Sequence, residues 1–383
     1  MTLARSRVAP RARPRRLLVL LLGWYTCNSF FAVCNKRALG RWPFPWVVSW
    51  LQLMVGVLLI VPKWASVKGA APKVSVAFVV MEFGPVAIAH AFGHGLQVAA
   101  FESGSVFFSN VVKACEPIVG TVIGIAAGAA LPTWTTASSL LPVALGVFVA
   151  GHKAESKGEL LSNSALASLA SCVFFAVAKL LAKKLMTPRV ANTRNLDAKN
   201  NYAVLTCCSS LVLGAWVFLV KPLFFVGANE AESASEASAA FLRLDRADRR
   251  HVAANVVLSG AAYYLSNVCS FQVLDLTSPV AQAVANAAKR VFVLVAAVIF
   301  LGESLTLRKI TGSAIALIGV FLYGLSKTPS PSSSSSSSSS SLTATTTATT
   351  TATTTKATTK ATTKQQQPAF IRSRRPPTEE KDA

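Results

Sequence analysis

Ten apolar stretches of about 20 residues recur along the chain, at roughly 17–38, 45–64, 75–99, 105–129, 132–151, 162–185, 201–225, 252–274, 278–301 and 305–325. A helix rises about 1.5 Å per residue, so each can cross a hydrocarbon core about 30 Å thick. In lipid the backbone finds no water, and a helix satisfies its polar groups internally. The expected fold class is an all-α membrane protein of ten transmembrane helices. Charges and prolines mark several borders, among them Pro43, Pro45, Lys63, Pro132 and Lys153. Only 14% of the residues are charged, against about a quarter in soluble globular domains, which argues against a soluble enzyme with a large core. The least regular span is the fourth, because Pro117 interrupts it.

The remaining segments are short or of low complexity. The net charge of +22 sits largely in a basic N-terminal arm (1–16), in short loops and in the tail. No basic stripe interleaved with aromatics marks a soluble module, so nucleic acid is not an expected partner; the lipid bilayer is. The loop 226–251 mixes charge with alanine and suggests a short surface helix. Residues 327–383 carry ten consecutive serines and Thr/Ala repeats, a composition expected to be disordered. The seven cysteines fall in apolar runs at spacings that fit no zinc or redox motif. Ten spans put both chain ends on one side. The basic arm and the Lys183, Lys184, Arg189, Arg194 and Lys199 loop share that side. The positive-inside bias makes it the cytosol for a chain inserted by the secretory route.

The chain also resembles itself. Asn110-Val-Val-Lys113 in the fourth span echoes Asn286-Ala-Ala-Lys289 in the ninth. The spans that follow end in GVFVAG (Gly146–Gly151) and GVFLYG (Gly319–Gly324). Spans 4–5 thus correspond to spans 9–10, and the repeat is five helices long. Five is odd, so the second copy enters the bilayer from the opposite face. The expected ten-helix domain is 17–326, with halves at about 17–151 and 162–326. Inverted repeats are a signature of secondary transporters with a site at mid-membrane.

The ionisable candidates inside the spans are Glu82, Lys113, Glu116, Lys179, Lys289 and Arg290. Such groups are costly in a bilayer and usually face a cavity or a partner. Snorkelling to the interface accounts for Lys36 and is an alternative for Lys179. It does not suit Lys113, which has eight residues of span before it and sixteen after, or Lys289 and Arg290, about eleven residues into theirs. Three cations at matching depth in two repeats make an oxyanion site, with arginine as a planar fork and lysine as a point charge. Glu116, one turn from Lys113, is expected to pair with it in the empty state, or to serve a gate. A purely structural ion-pair network is the alternative. His90 and His94 form an i,i+4 pair without a third metal ligand. His90 reads as a hydrogen-bonded core residue, and His94 equally as a core residue or as a donor to substrate. No nucleophile–base set, metal cluster or phosphate-cradling loop is present, so neither an enzyme nor a cofactor is expected. A scaffold or receptor without transport would have no use for the buried cations.

These residues carry a resemblance. WYTCNSFFAVCNKRAL, WPFPWVVSWLQLMVG, GHGLQ, VVKACEP, AKKLM and LTSPVAQAVANAAKRVFVLVAAVIF resemble the plastidic phosphate translocators of the drug/metabolite transporter superfamily, which include the triose-phosphate/phosphate translocators. The likeness covers roughly 17–326. It implies two inverted five-helix halves and strict antiport of inorganic phosphate against a phosphorylated C3, C5 or C6 compound. It implies phosphate binding by Lys113, Lys289 and Arg290, and substrate contact by His94. The chain departs from the family at Gln97, which replaces a threonine. It departs again at Ser266, which stands for a tyrosine beside Tyr263 and Tyr264, and at Ala178, which stands for an arginine beside Lys179. The resemblance therefore implies Gln97, Lys179, Tyr264 and Ser266 near the organic end of the substrate. It implies a plastid envelope, although the Arg-rich, acid-free residues 1–16 are short for a plastid presequence. The alternative is a Golgi or endoplasmic reticulum exchanger of a nucleotide sugar for a nucleoside monophosphate.

Overall fold

The computed structural model describes residues 14–151, 162–182, 194–224, 233–277 and 279–326. Their principal elements are eleven helices. These are α1 (Pro14–Leu39), α2 (Pro45–Ser66), α3 (Val76–Glu102), α4 (Val106–Ala126), α5 (Trp134–Gly151), α6 (Asn163–Ala182), α7 (Ala198–Val220), α8 (Ala234–Arg243), α9 (Arg246–Leu276), α10 (Pro279–Leu301) and α11 (Leu307–Ser326). All but α8 are long and apolar enough to cross a membrane, which gives the ten expected spans. The expected surface helix is α8, fixed over the α1–α2 turn by a hydrogen bond from Trp42 Nε1 to the Ala237 carbonyl (2.9 Å). The arm 1–13, the basic residues Lys183, Lys184 and Arg189, and the tail 327–383 lie outside the described residues.

Local chemistry sets the helix ends. Side chains of Ser105, Asp197, Ser233 and Asp245 each accept from a backbone N–H three residues on, at the starts of α4, α7, α8 and α9. Gly128 (φ 86°) and Gly302 (φ 65°) follow α4 and α10 in the left-handed conformation that only glycine adopts without strain. The fourth span is interrupted as its proline requires. Pro117 has no N–H for the Lys113 carbonyl, four residues earlier. The Glu116 N–H takes that carbonyl instead, in a tight 3-10 turn over Lys113–Cys115. The turn separates Val106–Val112 from Glu116–Ala126.

Three long helix pairs dominate the packing: α1 along α9, α3 along α6, and α5 along α11. α2 packs against α7 and α9, and α3 also against α7. Where α5 meets α11 the backbones touch. A Cβ on Gly146 would lie 2.3 Å from Ala316 N, and one on Gly319 would lie 2.6 Å from Val143 N. Small residues at such seams are how helices associate in lipid, where burial against apolar tails supplies no drive. Large apolar side chains such as Leu58, Leu141, Leu211 and Ile299 are exposed on the outer surface, as a lipid-facing belt requires.

Candidate functional site

The break in α4 places Lys113 and Glu116 on different sides of a turn. Lys113 is 8% exposed and Arg290, in mid-α10, is 6% exposed. The Glu116 carboxylate accepts from Arg290 Nη2 through Oε2 (2.7 Å) and from Lys179 Nζ through Oε1. The expected pairing of Glu116 with Lys113 is therefore replaced by pairs across the bundle, to α10 and α6. Arg290 and Lys179 reach the carboxylate from α10 and α6 and take both of its oxygens. Lys179 does not snorkel: its side chain is 64% exposed, yet its ammonium is committed to Glu116.

Lys113 and Lys289 have no hydrogen-bond or ion-pair partner among the described residues. Each has an aromatic ring instead, Phe175 under Lys113 Nζ and Trp24 under Lys289 Nζ, both at 5.2 Å from the ring centroid. Arg290 Nε is buried and also unpartnered. Lys113 and Lys289 lie within electrostatic reach of Arg290, Glu116 and Lys179. Four cationic side chains thus surround one carboxylate, and three donors among them are unclaimed. A buried cation without a counter-ion is expensive, and an anion would satisfy all three. A cavity of about 330 Å³ is lined by Glu116, Pro117, Lys179, Asn286, Arg290 and Tyr323, among others; of the three unclaimed donors only that of Arg290 belongs to a lining residue, and Lys113 and Lys289 lie behind the wall. That volume lies at the small end of the range for ligand pockets.

The remaining sequence-derived candidates separate. His94 is fully buried and stacks on Tyr263 (centroids 4.0 Å apart, 28° between planes). Neither of its ring nitrogens makes a well-formed hydrogen bond, although the Ser49 backbone is near. Lys113 lies within its electrostatic reach, so His94 belongs to the same polar layer. His90 is a structural residue, paired with Ser209 Oγ (3.0 Å) and the Tyr263 hydroxyl (3.2 Å). Gln97 is half-buried on α3. Tyr264 stacks on Tyr202. Ser266 donates to the Tyr263 carbonyl of its own helix (3.0 Å), so its hydroxyl is occupied. Glu82 is exposed within a π turn, Val79–Phe83. Lys36 does not snorkel either: its ammonium binds the carbonyls of Phe101, Glu102 and Gly104. No group of three metal-ligating side chains occurs among the described residues.

Sequence reasoning missed the aromatic partners Phe175 and Trp24, for which no pattern exists in a chain rich in both. It also missed Tyr323, whose hydroxyl meets Thr121 Oγ1 (3.1 Å) at the cavity wall. Asn286 was legible, since it stands in the repeated Asn-x-x-Lys motif.

Residues 15–324 match the model of the Triose-phosphate Transporter family. The chain is 28% identical to the xylulose 5-phosphate/phosphate translocator of Arabidopsis thaliana, over 82% of this chain and 70% of that one. It is 28% identical to phosphoenolpyruvate/phosphate translocator 3 of Oryza sativa subsp. japonica, over 84% and 77%. It is 29% identical to the triose phosphate/phosphate translocator of Brassica oleracea var. botrytis, over 81% and 71%. All three relatives are named chloroplastic.

Proposed function

This chain belongs to the Triose-phosphate Transporter family, and from that premise we propose that it exchanges inorganic phosphate for a phosphorylated sugar or C3 organophosphate by alternating access. It is a transporter, not an enzyme. The plastid envelope is the membrane its relatives' names favour. The observation that carries the reading is the set of unclaimed cationic donors, Lys113, Lys289 and Arg290 Nε, grouped around Glu116, with Arg290 and Glu116 on the wall of a cavity.

The mechanism follows from competition for Arg290. In the empty protein Glu116 occupies one arm of its guanidinium. A phosphate dianion displaces that carboxylate and takes the planar fork, while Lys113 and Lys289 add point charges. Lys113 belongs to the first half and Lys289 and Arg290 to the second, so the phosphate bridges the halves and draws them together. The loaded protein can then occlude and reopen on the other side. The empty one keeps its excess of positive charge and resists closing, and exchange replaces one-way passage. His94, with its two unused nitrogens, and Gln97 would meet the organic moiety. Lys179 lines the approach, Tyr264 packs behind it against Tyr202, and Ser266, whose hydroxyl donates to its own helix, takes no direct part.

Packing supports two inverted halves. Exchanging α1 with α6, α2 with α7, α3 with α9, α4 with α10 and α5 with α11 turns the α1–α9 seam into α6–α3, and α2–α9 into α7–α3. All four seams occur. A shift of 173 residues carries Gly146 to Gly319 and Val143 to Ala316, and the contacts made by these pairs are each other's images. The proposed domain is 17–326, with halves at about 17–151 and 162–326.

Purified protein in phosphate-loaded liposomes tests the site. Lys289→Ala should abolish labelled phosphate exchange, and full exchange by that variant would refute the assignment.

A further inference from the structure

The cavity beside Glu116 reaches toward the end of the bundle where α6 and α11 finish, since it is lined by Lys179 and Tyr323. The opposite end is held shut by polar contacts that the phosphate site does not use. There α1, α3 and α10 finish and α4 starts. Lys36, in the last turn of α1, donates to the carbonyls of Phe101 (2.7 Å), Glu102 (3.3 Å) and Gly104 (2.8 Å), groups that a helix C-terminus leaves unpaired. Glu303, just past the end of α10, reaches across to the start of α4. Its Oε1 accepts from the Val106 N–H (2.8 Å), and its Oε2 accepts from the Phe107 N–H (2.9 Å) and the Ser105 hydroxyl (2.5 Å). Arg37 Nη2 donates to the Phe300 carbonyl (3.2 Å) at the same end. A carboxylate at a helix start is favoured both by its N–H groups and by the helix dipole.

The contact is one-sided. Gly128 ends α4 as Gly302 ends α10, both with positive φ. Gly302 is followed by Glu303, whereas Gly128 is followed by Ala129. Of the two corresponding turns, only one carries a carboxylate. The helices it ties together are α10, with Lys289 and Arg290, and α4, with Lys113 and Glu116.

We propose that Glu303 is a gate residue. Its carboxylate latches the start of α4, with Lys36 shaping the corner that receives it, so that this end stays closed while the latch holds and the cavity is reached from the end where α6 and α11 finish. The inference rests on the exchange reading for its function but not for its geometry. Spin labels at Ser103→Cys and Ser304→Cys, in the full chain with its native cysteines replaced and in liposomes, report the width of the latched end. The parent should give one short distance. Glu303→Gln should add a longer population, with the open-to-closed ratio rising roughly tenfold or more as charge-assisted bonds are lost. Ser105→Ala, which removes one of the three bonds, should shift it less in the same direction. Half-saturation for phosphate should fall when measured from the latched side and rise from the other, a split that a general loss of stability would not produce. Unchanged distances in both variants, with exchange intact, would overturn the latch alone. The expected distances in a protein that exchanges no phosphate would instead overturn the exchange reading and leave the latch standing.

Discussion

At the residue scale the account turns on one carboxylate shared among cations. Arg290→Ala should lower phosphate exchange about 100-fold or more, because truncating one partner of a buried, hydrogen-bonded charge pair leaves the other uncompensated. Arg290→Lys keeps the charge but loses the fork, and should fall about tenfold. Equal activity of the two variants would show that planar recognition plays no part. Glu116→Gln removes the internal competitor for Arg290. Half-saturation for phosphate should then drop several-fold while maximal exchange slows, since the unloaded site loses the carboxylate that pairs with Arg290. Initial-rate measurements over a phosphate series check both directions at once. Lys113, Lys289 and Arg290 were legible in the sequence because a charge in an apolar span must be justified, and a repeated motif justifies it twice. The partner of Glu116 was not. Sequence spacing shows only neighbours along one helix, and the cations that take the carboxylate come from α6 and α10. Lys36 misled in a related way: an ammonium near a helix end snorkels unless unpaired carbonyls are within reach, and the end of α3 supplies them.

At the element scale, length and hydropathy sufficed to find all ten spans, since the bilayer leaves a chain few alternatives. Ends were less legible. α9 starts at Arg246, six residues before the expected 252, because Asp245 caps it ahead of the apolar run. The π turns in α3 and α7 left no sequence mark. The seam between α5 and α11 makes a stability prediction. Gly146→Leu would drive a side chain into the backbone of α11, and overpacking of this kind costs about 1–3 kcal/mol. The melting temperature of the detergent-solubilised protein should fall by several degrees. Gly84→Ala, where an added Cβ meets nothing within 4 Å, should leave it unchanged. Equal melting of all three proteins would contradict the close seam.

At the scale of the whole molecule, the proposed halves, the proposed cation site between them and the proposed latch together predict a transporter that moves only when loaded. The sequence conveyed the repeat through two short motifs. It could not convey which end is closed, because that depends on contacts between residues nearly 200 positions apart, such as Ser105 and Glu303. On the proposed reading, the organic substrate is selected near Gln97 and Ala178, which stand beside His94 and Lys179. The central claim is obligate exchange of phosphate. Uptake of labelled phosphate into liposomes holding the purified protein tests it most directly, with the lumen either phosphate-loaded, nucleoside-monophosphate-loaded or empty. The account predicts rapid uptake only into phosphate-loaded vesicles. Equal uptake into empty vesicles, or uptake driven by the nucleotide alone, would contradict it.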